Sequence, residues 1–214
     1  MTSASQRRRS VLLAGGVLVL LSGCGGLLPK PPERQLYRLT AAVDLGGRVP
    51  QVGAQLLVAT PSAPAAIDTK RIALVRSAVS IDYYADGEWV DRPPFLVKAA
   101  LIEAFERSRA FSGVSSEGLG LNADFVLNPE LHEFAAIYDS PNGPPRARVR
   151  VDAELVTLKG RTILAETSFT REAAAAGNDL PAIVLAFDQA TAAAVADLVT
   201  WTANIPLYRR REGR

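Results

Sequence analysis

The sequence predicts an α+β fold: a mostly antiparallel or mixed sheet with two main helices packed on one face, in a single domain. Three observations carry this. Strand-like segments outnumber helical ones and arrive as hairpins; two segments repeat their apolar residues at helical spacing; and residues 147–155 alternate strictly between apolar and charged. A helix stripe and a sheet face each need an apolar surface to cover them, and stacking one on the other satisfies both.

The chain opens with Arg7-Arg8-Arg9, an apolar run from Val11 to Leu21, and small residues before Cys24. This is the layout of a signal peptide. A spanning helix needs about 20 apolar residues, which this run does not reach, so cleavage is expected rather than a permanent span. Leu21-Ser22-Gly23-Cys24 fits the bacterial lipobox, so residues 1–23 are expected to be the signal peptide and Cys24 the lipidation site. Cys24 is the only cysteine, which excludes an intramolecular disulfide. Each buried methylene contributes about 0.8 kcal/mol, and stable anchoring takes at least two chains. A triacylated Cys24 would therefore hold the protein on a lipid bilayer. Gly25 follows where aspartate would retain a lipoprotein in the inner membrane, which favours the outer membrane, with the domain facing the periplasm. Arg8-Arg9 before Ser10-Val11-Leu12-Leu13 fits twin-arginine export, and the same arginines suit the general secretory route.

Residues 24–34 read as a tether, because Pro29, Pro31 and Pro32 exclude helix and central strand. Losing residues 1–23 removes three arginines and no acidic residue. The mature chain then has 21 basic against 22 acidic side chains, and the formal charge goes from +2 to −1. Nothing in that balance points to nucleic acid.

The folded domain is expected over 35–206. Gln35 to Thr40, Gln55 to Thr60 and Arg71 to Arg76 are strand-like. Ser80 to Ala85 and Glu88 to Val90 flank Asp86-Gly87, a turn dipeptide, which predicts a hairpin with Tyr83, Tyr84 and Trp89 near its tip. Pro93-Pro94 suits a helix entry. Leu96, Val97, Ala100, Leu101, Ala104 and Phe105 then share one face, in a helix expected to stop before Gly113. Asp124 to Tyr138 reads as a strand with an irregularity or an edge position at Asn128-Pro129. A loop follows at 139–145. In the next strand Ala147, Val149, Val151, Ala153 and Leu155 point one way and Arg148, Arg150, Asp152 and Glu154 the other. Lys159-Gly160-Arg161 turns the chain into a strand from Thr162 to Arg171, and small residues make a loop at 173–178. Ile183, Phe187, Ala190, Ala194, Leu198 and Trp201 lie on one face of a long alanine-rich helix from Leu180 to about Asn204. Pro206 ends it, and residues 207–214 form a basic tail.

The residues for catalysis are missing. A serine nucleophile needs a base, normally histidine, and His132 is the only one, within a strand. One histidine and one lipidated cysteine cannot make a zinc site. No P-loop or dinucleotide fingerprint is present. Glu103 and Glu106 read as solvated charge on a helix's polar face. The chain is expected to be no enzyme and to need no cofactor.

Taken in order, Tyr37 after a lipidated N-terminus, Tyr83-Tyr84 and Trp89, Pro93-Pro94, Leu101, Phe105 and Ser108-Arg109-Ala110-Phe111 form a pattern. It continues through Ala123-Asp124-Phe125-Val126-Leu127 to Leu131 and Phe134, the alternating strand, and Phe187. The pattern resembles the ABC-type transport auxiliary lipoproteins, over roughly residues 24–204. Phe125 stands where that family more often has tyrosine. The resemblance implies a non-catalytic envelope component working beside an MCE-domain protein, an ABC permease and an ATPase that move lipids or other hydrophobic molecules. It also makes Tyr83, Tyr84 and Trp89 candidate partner-binding residues, because aromatics are enriched at interface hot spots; the competing reading is that they pack in the core. A homo-oligomer would match the rotational symmetry of an MCE assembly. Two other readings are a lipid-binding lipoprotein and an assembly factor for an outer-membrane complex.

Overall fold

A computed structural model describes residues 34–47, 49–117, 123–140 and 143–206. The signal peptide, Cys24, nearly all of the tether and the basic tail fall outside the described residues. The elements are β1 (Gln35–Tyr37), β2 (Val52–Val58), β3 (Arg71–Ser77), β4 (Ser80–Trp89), α1 (Pro93–Ser108), β5 (Phe111–Ser116), β6 (Phe125–Ile137), β7 (Arg146–Thr157), β8 (Thr162–Ala174) and α2 (Leu180–Ala203). They form the expected α+β arrangement, a mixed eight-stranded sheet with two helices.

Strand β6 is the spine. One of its sides pairs antiparallel with β7 from Phe125↔Thr157 to Ile137↔Arg146, and β7 pairs in turn with β8. Its other side is shared. Parallel β2 covers Phe125 to Leu127, and parallel β3 covers Ala136 and Ile137. Ser62 spans the gap, donating its N–H to the Pro129 carbonyl at 3.2 Å and accepting from the Leu131 N–H at 2.8 Å. Pro129 has no N–H to offer, and it sits where the neighbouring strand is interrupted, so no ladder bond is lost. The irregularity in this strand lies further on. Leu131 opposes Val151 while Glu133 opposes Arg150, which leaves His132 at a bulge.

The hairpin expected at Asp86-Gly87 is placed differently. Strand β4 runs unbroken through both residues, and the turn falls at Ala78-Val79, closing Ser77 onto Ser80. Gly87 is required for space rather than for turning: a Cβ there would collide with the Leu180 side chain and the Tyr37 ring. A close approach and a tight turn both select glycine, so the dipeptide was ambiguous. Strand β5, whose first residues Phe111 and Ser112 were expected to end the first helix, is a separate parallel strand on β2. Arg109 makes the break between them, with a left-handed φ of 53°.

Helix α1 buries Val97, Leu101, Ala104 and Phe105, four of the six residues on the expected face. Helix α2 starts with Asp179, whose carboxylate accepts the Ala182 N–H at 2.9 Å. By length and a mean hydropathy of 1.6 it would pass for a membrane span. Its apolar side is instead used by the core, where Ile183, Phe187, Ala190, Ala194 and Leu198 are buried. Trp89, Phe134 and Phe187 form the centre, with ring centroids 4.9 to 5.6 Å apart. The segment after β1 is strapped to α2 by Asp188, whose Oδ1 accepts the N–H groups of Thr40 at 2.6 Å and Ala41 at 2.7 Å.

Candidate partner-docking surfaces

The three aromatics of β4 do not form a shared exposed patch. Trp89 has no exposed surface and packs edge-on to Phe134 and Phe187, so it presents nothing to a partner. Tyr83 is half-buried under the Arg71 guanidinium, 3.6 Å above its ring, and its hydroxyl donates to the Ala66 carbonyl at 3.0 Å. The Tyr84 hydroxyl shares a 2.9 Å hydrogen bond with that of Tyr138. Burial, reinforced by that hydrogen bond, pushes the Tyr84 hydroxyl far above the ordinary tyrosine range.

The charged side of β7 lies on the face of the sheet away from the core. At one end Arg146 meets Glu172 at 3.2 Å and Asp139 at 3.1 Å, and Arg148 pairs with Glu172 and Glu133. The hydrogen bond to Glu172 raises the Arg148 pKa further. At the other end a polar cleft of about 420 Å³ is lined by Glu130, Asp152, Glu154, Glu166 and Ser168. His132 Nε2 lies 3.1 Å from Asp152 Oδ2 and 3.8 Å from Glu130 Oε2, and Ser168 donates its hydroxyl to Asp152 Oδ1. The carboxylate thus sits between serine and histidine. A nucleophilic serine needs the imidazole on its own hydroxyl, so this order does not activate Ser168. Among the described residues no group of three His, Cys, Asp or Glu is placed to hold a metal.

Two further surfaces escaped the sequence reading, and both are apolar. At the tip of the β3–β4 hairpin Val79 is 95% exposed and Ile81 37%. At the opposite corner, where β7 turns into β8 beside the end of α2, Leu158 and Ile163 stand out at 44% and 48%. On the helix side of the sheet an apolar groove of about 360 Å³ lies between Leu164, Ala165, Trp201, Ile205 and Pro206, whereas Ile163 pairs with Val156 on the wet face. Helical spacing put Trp201 on the core face of α2, and there it packs, partly buried, against the core while its remaining surface lines this groove. The available signal was the apolar pair Leu158 and Ile163 around a turn that polar residues could have made.

Residues 37–199 match the family of ABC-type transport auxiliary lipoprotein components. An uncharacterised protein of Bradyrhizobium diazoefficiens is 30% identical over 176 residues, covering 80% of this chain and 46% of that protein. The chain therefore spans about half the length of this curated relative. Among solved structures, protein XCC0632 of Xanthomonas campestris superposes with a TM-score of 0.75 at 26% identity, over 83% of this chain and 98% of that one. A second uncharacterised protein shares the fold alone, with a TM-score of 0.61 at 14% identity, over 79% of this chain and 98% of its own. Over most of its length, then, the chain belongs to the ABC-type transport auxiliary lipoprotein family.

Proposed function

We propose that this protein is a non-catalytic auxiliary lipoprotein of an MCE-type ABC transport system, which moves lipids or other hydrophobic molecules across the cell envelope. In this reading acyl chains on Cys24 anchor it to the outer membrane, the domain faces the periplasm, and it docks the MCE assembly fed by a permease and an ATPase. The observation that carries the reading is the family match over residues 37–199, which lies behind a lipobox at Leu21 to Cys24.

The test is gentle detergent extraction of native membranes, capture through a C-terminal tag, and mass spectrometry of what co-purifies. Recovery of an MCE-domain protein with its permease and ATPase is expected, and Cys24→Ala should release the protein from the membrane fraction. Recovery of the protein alone, or with an outer-membrane assembly complex, would overturn the transport reading.

A further inference from the structure

Thr157↔Thr162 is the last pair between β7 and β8, and Leu158-Lys159-Gly160-Arg161 closes the turn beyond it. Polar residues suffice to make a turn, yet Leu158 enters this one and Ile163 follows it, both largely in solvent. Lys159 and Arg161 between them are exposed and make no ion pair among the described residues. Arg161 holds a left-handed φ of 50°, which glycine or asparagine adopts at less cost, so the cation stands where local conformation does not favour it. The turn is also fixed in place. The Leu158 N–H donates to the Asp124 carbonyl at 3.1 Å, and the Thr162 hydroxyl donates to the Gly160 carbonyl at 3.3 Å.

The charge around this turn has one sign. No acidic residue lies between Thr157 and Ala165. The nearest carboxylates on the wet face, Glu154 and its partner Glu166, stand one row further in, and the Asp124 carboxylate is engaged by the Gln55 N–H at 3.0 Å. On the helix side of the same end Pro206 lines the groove with Leu164 and Ala165, and the sequence runs on from it through Leu207-Tyr208 into Arg209-Arg210-Arg211. The other apolar hairpin is different: beside Val79 and Ile81 it exposes Asp82, and its cation Arg76 is drawn back over the Tyr138 ring at 5.0 Å. An anionic surface would therefore select the β7–β8 end.

We propose that the β7–β8 turn is a membrane-contacting tip, with Leu158 and Ile163 entering the headgroup layer of a bilayer and Lys159 and Arg161 pairing with the phosphates of anionic phospholipids. Two half-covered aliphatic side chains fall far short of the roughly 800 Å² per partner that a stable protein interface buries. A bilayer asks for less, because a small apolar insertion and flanking cations act together at the headgroup boundary. The inference does not rest on acylation of Cys24. Beside such an anchor the tip is a second, weaker contact that sets which end of the domain faces lipid.

The mature chain, residues 24–214 with Cys24→Ser, carries no acyl group, so any membrane binding is its own. Thr162→Cys, exposed in the turn, is labelled with a nitrobenzoxadiazole dye, and Ser80→Cys on the opposite hairpin serves as reference. On vesicles of phosphatidylcholine with a minority of phosphatidylglycerol, the dye at 162 should shift to the blue and be quenched by nitroxide-bearing lipids, while the dye at 80 stays unchanged. Pure phosphatidylcholine should give neither signal. Lys159→Glu/Arg161→Glu should weaken flotation with the mixed vesicles by at least about tenfold, and Leu158→Ser/Ile163→Ser should remove the quenching, both with an unchanged circular dichroism spectrum. An unquenched dye at 162 on the mixed vesicles would overturn the proposal. So would a blue shift without nitroxide quenching, which marks a covering protein surface, a second copy included. Binding that survives the charge reversal and is lost only on removing residues 207–214 would make the tail the contact and overturn it as well.

Discussion

Strand β4 and the β7–β8 corner both present apolar and aromatic residues to the sequence reader, and they use them in opposite ways. In β4 the aromatic side chains are covered: Trp89 fills the core, Tyr83 lies beneath Arg71, and Tyr84 is tied to Tyr138. At the corner Leu158 and Ile163 stay in solvent, 44% and 48% exposed. Aromatic content alone therefore does not mark a docking surface; what matters is whether the fold has already covered the side chain. The most exposed aliphatic residues lie at the two ends of the sheet, while Trp89 is fully buried and Tyr83 and Tyr84 are partly covered.

The contrast can be broken most directly at Trp89. Its replacement by alanine should destabilise the domain by about 3–5 kcal/mol, as expected for loss of a large buried ring and the cavity left behind. A urea titration followed by circular dichroism measures this. The same substitution combined with Phe187→Ala should cost less than the two singles added, since the rings are in contact. A drop under about 1 kcal/mol would mean that Trp89 is not the core residue described.

A smaller effect is expected at Tyr84. Tyr84→Phe should cost about 1 kcal/mol near neutral pH, the net worth of one hydrogen bond. Its signature is alkaline. Burial first, and the Tyr138 hydrogen bond second, raise this hydroxyl above its ordinary value of 10.0, so the folded state holds it neutral. The associated stability is complete below pH 10.0 and is lost as the pH rises beyond it, because the unfolded tyrosine ionises first. Thermal midpoints measured up the alkaline range should therefore fall more steeply in the wild type than in Tyr84→Phe. Parallel curves would contradict the buried pair.

The smallest effect belongs to the open ends. Val79→Ser and Ile163→Ser should each change stability by no more than about 0.5 kcal/mol, as for surface positions making no buried contact. Thermal denaturation of each variant checks it, and a loss beyond about 1 kcal/mol would show that these side chains pack within their own chain.

The parts of the fold that could be read from sequence are those where a local period coincides with the tertiary environment. β7 was fixed by strict alternation because one of its faces lies on the core and the other stays wet along its whole length. Both helices were located by their apolar spacing, the first with Pro93-Pro94 marking its entry; the Asp179 cap of the second emerges only in the structure. Reading failed where one residue type serves two purposes. Gly87 looked like a turn and is a point of close approach to Leu180 and Tyr37. Phe111 looked like the end of a helix and opens a strand, because the left-handed Arg109 breaks the chain direction between them.

What the sequence by itself determined is the class of fold, the order of its strongly periodic elements and the family, because each is written in short-range patterns that survive without knowledge of neighbours. What only the tertiary structure decided is which apolar residues remain available. Val79 and Trp89 are ten residues apart on one hairpin, 95% and 0% exposed, and nothing in their local sequence separates them. Exposure is set by the elements that close over a strand, here α2 over Trp89 through Phe187, and those contacts bring together residues almost a hundred positions apart.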